Sequence, residues 1–139
     1  MIIREARKQD YPELRKIYLE SRQQNFHWVN RSEMASEDFD RDTVEEQIIV
    51  AEDNSRIVGF SSLYLPENFI HNLFVHPSYT SKGVGGKLLH HALETMNKPI
   101  RLKCISENDR ALKFYDNNGG KKVVEEGNPG EKYWVVVFE

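Results

Sequence analysis

Three extended apolar runs follow one another between residues 47 and 75, and this constrains the fold more than any other feature of the chain. Gln47 to Glu52 (Q-I-I-V-A-E) is followed by the turn formers Asp53-Asn54-Ser55. Arg56 to Leu65 is followed by Pro66-Glu67-Asn68, and Phe69 to Val75 by His76-Pro77. Extended runs punctuated in this way predict a three-strand meander. A meander is antiparallel, so a purely parallel, doubly wound sheet is excluded for this part of the chain.

The flanks supply helices. Asp10, with Pro12 and Glu13 behind it, reads as a helix start of the capping-box kind. Leu14, Ile17, Tyr18 and Ser21 then fall on one helical face, and the helix is expected to run to about Gln24. A second helix is predicted from about Gly83 to Met96, with Val84, Leu88, Leu89, Ala92 and Leu93 on one face. A third spans Asn108 to about Asn118 and stops at Gly119-Gly120. Further strands are expected at 2–6, 100–105, 121–126 and 133–138, the last apolar enough to be covered on both faces. Short helical turns suit the acidic stretch 31–46, which carries a net charge of −5. The expected fold is α/β of the α+β kind: a mixed, largely antiparallel sheet of six to seven strands with helices on both faces. At 139 residues, with neither repeat nor linker, residues 1–139 read as one domain.

Composition narrows the function. The net charge of −3 gives no global attraction for nucleic acid. No apolar run approaches the roughly 20 residues of a membrane span, and Met1 to Glu5 lacks the apolar core of a signal peptide. With Cys104 as the single cysteine there is no intrachain disulfide, so a reducing, cytoplasmic setting is expected. No His, Cys or Asp cluster has metal-ligand spacing, and no metal is expected. Cys104 itself reads as a small buried apolar residue within a strand.

The chemistry concentrates after the meander, in Thr80-Ser81-Lys82-Gly83-Val84-Gly85-Gly86-Lys87. Three glycines at a strand-to-helix junction let backbone N–H groups approach an anion, and the helix N-terminus adds partial positive charge. The spacing is not that of a P-loop, because Gly86-Lys87 is followed by Leu88 and the fifth residue before Gly86 is Ser81. It is not a dinucleotide fingerprint either, since position 88 would have to be glycine. The loop alone therefore reads either as a phosphate cradle or as a helix start built from a flexible turn.

Leu73-Phe74-Val75-x-Pro77, the glycine loop, and then Asn108-x-x-Ala111-Leu112-Lys113-Phe114-Tyr115-x-x-x-Gly119 together resemble the two signatures of the GNAT superfamily of N-acetyltransferases. The order of elements is similar over nearly the whole chain. The resemblance implies an acetyl-CoA-dependent transfer of an acetyl group to a primary amine, on a small molecule or a peptide, by direct attack. It also implies a β-bulge in the 69–75 strand, and a splay between that strand and residues 100–105 that takes the pantetheine arm. Leu73, Phe74 and Val75 would bind the arm through their backbone. Ser81, Lys82, Gly83, Val84, Gly85 and Gly86 would hold the pyrophosphate. Asn108 would help to position the arm, and as a residue it also reads as a helix N-cap. A backbone amide at Val75 or beside it would face the thioester carbonyl, worth roughly 3 kcal/mol as an oxyanion donor.

For proton transfer, Tyr115 matches the family's acid position, against a plain reading as a core tyrosine. His71 is the candidate base, sharing a face with Leu73 and Val75 if no bulge intervenes; Glu67, Asn72, His76 and water compete with it. Phe26, His27 and Trp28 are candidate acceptor contacts or a small satellite core. The acidic stretch reads either as an attractor for a cationic amine or as a solvated face. Two positions depart from the family pattern: Thr80 stands where Arg or Gln is usual, and Gly119-Gly120 where Gly-Phe is usual. A non-catalytic acyl-CoA-binding module on the same fold is the alternative, and a plain interaction domain a further one. The chain is expected as a monomer or homodimer.

Overall fold

The computed structural model describes residues 1–25, 34–35, 37–80 and 82–139. Its elements run β1 (Ile2–Glu5), α1 (Tyr11–Asn25), α2 (Asp38–Asp42), β2 (Gln47–Asp53), β3 (Arg56–Tyr64), β4 (Phe69–Val75), α3 (Val84–Thr95), β5 (Ile100–Ile105), α4 (Asp109–Asn117), β6 (Lys121–Glu126) and β7 (Tyr133–Phe138). The strands form one seven-stranded sheet in the order β1-β2-β3-β4-β5-β7-β6. Every neighbouring pair is antiparallel except β4 with β5.

Helices cover both faces. On one face Leu14, Ile17 and Tyr18 of α1 and Phe39 of α2 pack with Ile48, Val50, Ile57 and Phe60. On the other, Val84, Leu88, Leu89 and Ala92 of α3 and Tyr115 of α4 pack with Ile49, Ala51, Leu63, Ile70, Leu102 and Val136. β2 thus sends Ile48 and Val50 to one helical layer and Ile49 and Ala51 to the other. That is why this segment reads as a continuous apolar run instead of an alternating one. Gly59 of β3 lets α3 come close: a Cβ there would lie 2.9 Å from the Phe74 carbonyl oxygen and 3.0 Å from a Val84 methyl.

Two local expectations are corrected. Asp10 does not cap α1 in a box with Glu13. Its carboxylate accepts the Arg7 N–H at 2.8 Å and two Arg4 N–H groups at 2.8 and 3.1 Å, closing the 3-10 turn Lys8–Asp10 ahead of the helix. Nor is β7 buried on both faces. Only Val136 and Phe138 are buried, because β7 lies beside the edge strand β6, whose six residues are all exposed, while α1 packs over β3 and β4.

Candidate active site

The site is made by the one place where the sheet fails to close. β4 and β5 pair only through Phe69 with Arg101 and Ile70 with Leu102, after which the strands part. Where the strands part, β4 carries a bulge. Leu63 pairs with Ile70 and Ser62 with Asn72, so His71 has no partner on β3. The extra residue resets the alternation beyond it. Leu73 and Val75 pack toward α3 and α4, and Phe74 toward α1. Ser21, buried in α1, donates its hydroxyl to the Val75 carbonyl at 2.9 Å and ties the free end of β4 to the helical layer.

The parted strands open into a cleft of about 610 Å³ that reaches both layers of the molecule. On the α3 side it is lined by Leu73, Val75, Cys104, Asn108, Phe114 and Tyr115. At its end lie Tyr79, Thr80 and then Gly83, Val84, Gly85 and Gly86. On the α1 side it is lined by Tyr18, Ser21, Arg22, His71 and Asn72.

The glycines build the helix end of the cleft. Gly83 is the N-cap of α3 with φ of 81°, a backbone conformation natural to glycine. Among the described residues no side chain caps this helix, and no acidic residue sits in its first turn. Its leading amides therefore have no acceptor from a capping side chain among the described residues. A Cβ at Gly83 or Gly86 would meet nothing within 4 Å, so the space before the helix is open. At Gly85 the same Cβ would touch Phe114, Val75 and Leu73 at 3.5–3.8 Å, where α3, α4 and β4 converge. The cleft lining passes over Lys82, whose ammonium rests 5.5 Å from the Tyr79 ring centre. Thr80 donates to the Pro77 carbonyl at 3.2 Å.

Asn108 caps α4, its side-chain oxygen accepting the Ala111 N–H at 3.2 Å, and still lines the cleft. Seven residues on, Tyr115 packs edge-on against Phe114 and Phe138, with centroids 5.3 and 6.4 Å apart. Burial pushes its phenol well above the usual tyrosine range, and the neighbouring Cys104 adds to the effect. A phenol is protonated at neutral pH, so Tyr115 can serve only as the proton donor. The Cys104 thiol is likewise pushed up to about 11 by burial, which makes it a poor nucleophile near pH 7. The departure at Gly120 also has a reason: a Cβ there would lie 2.7–2.8 Å from Val136 and Phe138, so the Phe138 ring occupies that space.

On the α1 side, His71 Nδ1 lies 2.6 Å from Glu46 Oε2. The competing bases are placed otherwise. Asn72 donates to the Ser62 hydroxyl, and His76 Nδ1 accepts the Ser78 N–H. Glu67 lies in the turn Leu65–Glu67 before β4. Three acids of the stretch are paired: Asp40 with Arg15, Asp38 with Arg22 and Arg41, Asp42 with Arg41 and the Tyr18 hydroxyl. Arg22 also stacks on Tyr18 with its guanidinium carbon 4.0 Å from the ring centre. Ser81, Phe26, His27 and Trp28 lie outside the described residues. Among the described residues, no three His, Cys, Asp or Glu side chains gather where they could hold a metal ion, and no helix is long and apolar enough to cross a membrane.

Sequence reasoning missed Ser21, Arg22 and Glu46. Ser21 left a signal, as a serine on the apolar stripe of α1. Glu46 left none, since it reads as one acid among seven.

A family model described as the acetyltransferase (GNAT) family matches residues 3–119. A curated relative, the uncharacterized N-acetyltransferase YhfO of Bacillus subtilis (strain 168), is 31% identical over 87 residues. That match covers 54% of this chain and 58% of the relative, a little over half of its length. Apo YjaB from Escherichia coli superposes with a TM-score of 0.80 at 25% identity, covering 99% of this chain and 98% of that one. The PaiA N-acetyltransferase of Thermoplasma acidophilum, solved in complex with coenzyme A, gives a TM-score of 0.83 at 22% identity over 99% and 98% of the two chains. At that identity the second likeness speaks for the fold alone.

Proposed function

The chain belongs to the acetyltransferase (GNAT) family, and from that premise we propose that it transfers the acetyl group of acetyl-CoA to a primary amine. The carrying observation is the parting of β4 and β5 into a cleft that ends at the uncapped N-terminus of α3. The residues fit such a co-substrate. Bare positions at Gly83 and Gly86 leave room for phosphate oxygens, and the leading amides of α3 are donors without a side-chain cap. The unpaired edge of Leu73 to Val75 can hydrogen-bond an extended arm as an added strand does. Asn108 borders the same cleft and would steady that arm.

Acetyl-CoA, when bound, supplies an activated carbonyl and a thiolate leaving group. The protein has three tasks around it. First, an amine with a pKa near about 10.4 must lose a proton before it can attack, and His71 takes that proton on the acceptor side. Second, a backbone N–H of the β4 end, at Val75 or beside it, supports the charge that develops on the carbonyl oxygen. Third, Tyr115 gives its phenolic proton to the departing sulfur as the C–S bond breaks. The nitrogen, cationic once the C–N bond has formed, then sheds its second proton and restores the phenol. The net release is one proton, passed from His71 to solvent.

The acceptor enters from the α1 side, where Tyr18, Ser21, Arg22 and Asn72 line the cleft. It is a primary amine on a small molecule or a peptide. The test is Tyr115→Phe, which keeps the ring contacts with Phe114 and Phe138. Turnover falls by about 100-fold while the KM for acetyl-CoA changes little. An unchanged turnover number across the pH range would remove Tyr115 from the mechanism.

A further inference from the structure

The pair formed by His71 and Glu46 has a geometry that a surface ion pair does not. Glu46 precedes β2 and keeps only 8% of its side chain exposed, while His71 keeps 42%. Glu46 Oε2 bonds Nδ1 at 2.6 Å, and Glu46 Oε1 is buried with no hydrogen-bond partner among the described residues. A carboxylate that is nearly out of water and bonded at a single oxygen is poorly solvated. Nothing in the packing of a plain surface histidine requires such an arrangement.

The position on the chain sharpens this. His71 is the bulged residue of β4, unpaired on β3, on the strand that borders the parted cleft. An ionised carboxylate only accepts hydrogen bonds, so the imidazole must present Nδ1–H to Glu46. Its other nitrogen, Nε2, then carries the lone pair. The bond therefore selects the tautomer in which Nε2 is the nitrogen that can accept a proton, and it holds the ring against rotation. When Nε2 takes a proton, the imidazolium forms against a carboxylate already in place, so little has to reorganise.

We propose that Glu46 is a positioning residue that, through its bond to His71 Nδ1, fixes the tautomer and orientation in which Nε2 receives the acceptor's proton. This rests on the reading of His71 as the base, and two measurements keep the two claims apart.

The first is the ¹⁵N spectrum of the imidazole rings in the whole protein at neutral pH, which needs neither acetyl-CoA nor an acceptor. His71 is expected in the Nδ1–H form, and Glu46→Gln is expected to abolish that preference without unfolding the chain. The second is turnover, read as thiol release from acetyl-CoA with an alkyl diamine, lysine amide and a short peptide bearing a free N-terminus. Glu46→Gln lowers kcat by about 10-fold with little change in the KM for acetyl-CoA, and Glu46→Asp recovers part of it. In a His71→Ala background, Glu46→Gln costs nothing further. A wild-type His71 in the Nε2–H form overturns the proposal, and so do Glu46 losses that add in full to those of His71→Ala. A full kcat in His71→Ala overturns the base reading and the proposal with it, while the retained Nδ1–H signal would show that the pair itself stands. Should Glu46→Gln fail to fold, the wild-type spectrum alone still decides the tautomer, and Glu46→Ala carries the comparison.

Discussion

Asp10 shows how a single carboxylate ties the first strand to the first helix. It is nearly buried and bonded to Arg4 and to the Arg7 amide. The Arg4 guanidinium, first among the causes, holds the Asp10 carboxyl below its ordinary value of 3.8. Arg4 is pushed upward in turn, first by Asp10, and stays charged throughout. A carboxyl depressed by folding contributes stability that is complete above its unfolded value and is lost as pH falls through the folded one. Asp10→Asn should therefore cost about 1–2 kcal/mol at neutral pH and progressively less below roughly pH 4. Urea unfolding of both proteins between about pH 2.5 and 6 checks this. A difference that grew on acidification would contradict it. Asp38, depressed first by its bond from the Ala35 N–H, adds a second slope of the same sign in both proteins.

At the scale of elements, the junction from β4 to α3 is where local sequence cost is traded for binding. Glycine is a poor helix former, yet Gly85 and Gly86 stand in the first turn of α3. On stability alone, an acidic residue at Gly86 would be an improvement: its Cβ meets nothing within 4 Å, and a carboxylate suits a helix N-terminus. Gly86→Asp is thus expected to keep or slightly raise the melting temperature while raising the KM for acetyl-CoA at least about 10-fold, through repulsion of the phosphates. A thermal melt with initial rates against acetyl-CoA concentration decides it. An unchanged KM would place the phosphates elsewhere. This junction was legible in the sequence because three glycines before an apolar helical stripe weaken the helix start, a cost that bare backbone for a ligand offsets. The bulge was not legible from local pattern, since F-I-H-N-L-F-V alternates poorly whether or not position 71 is skipped. Only the resemblance implied a bulge, and only the register put it at His71. The Glu46 contact was still less visible, because it joins residues 25 apart in sequence and depends on that bulge.

At the scale of the whole molecule, strand and helix order was readable because turn formers and periodic apolar faces mark nearly every boundary. The misreadings have physical sources. Asp10 serves an ion pair with Arg4, back in the first strand, in preference to the helix that follows it, and β7 is less covered than its composition suggests because it lies next to the sheet edge. The acidic stretch reads in sequence either as an attractor for a cationic amine or as a solvated face. In the fold, Asp38, Asp40 and Asp42 are paired with arginines, which lowers the charge those three present to a substrate. What unites the molecule is a sheet that closes everywhere except between β4 and β5, with a donor-rich helix end at one side of the gap and a histidine at the other. The most direct test of that claim is thiol release from acetyl-CoA with a panel of primary amines, with the acetylated amine identified by mass. Acetyl transfer to at least one amine, lost or strongly slowed in Tyr115→Phe, is the expected result. Tight acetyl-CoA binding with no transfer to any amine on the panel would contradict it and leave the cleft as an acyl-CoA-binding site without chemistry.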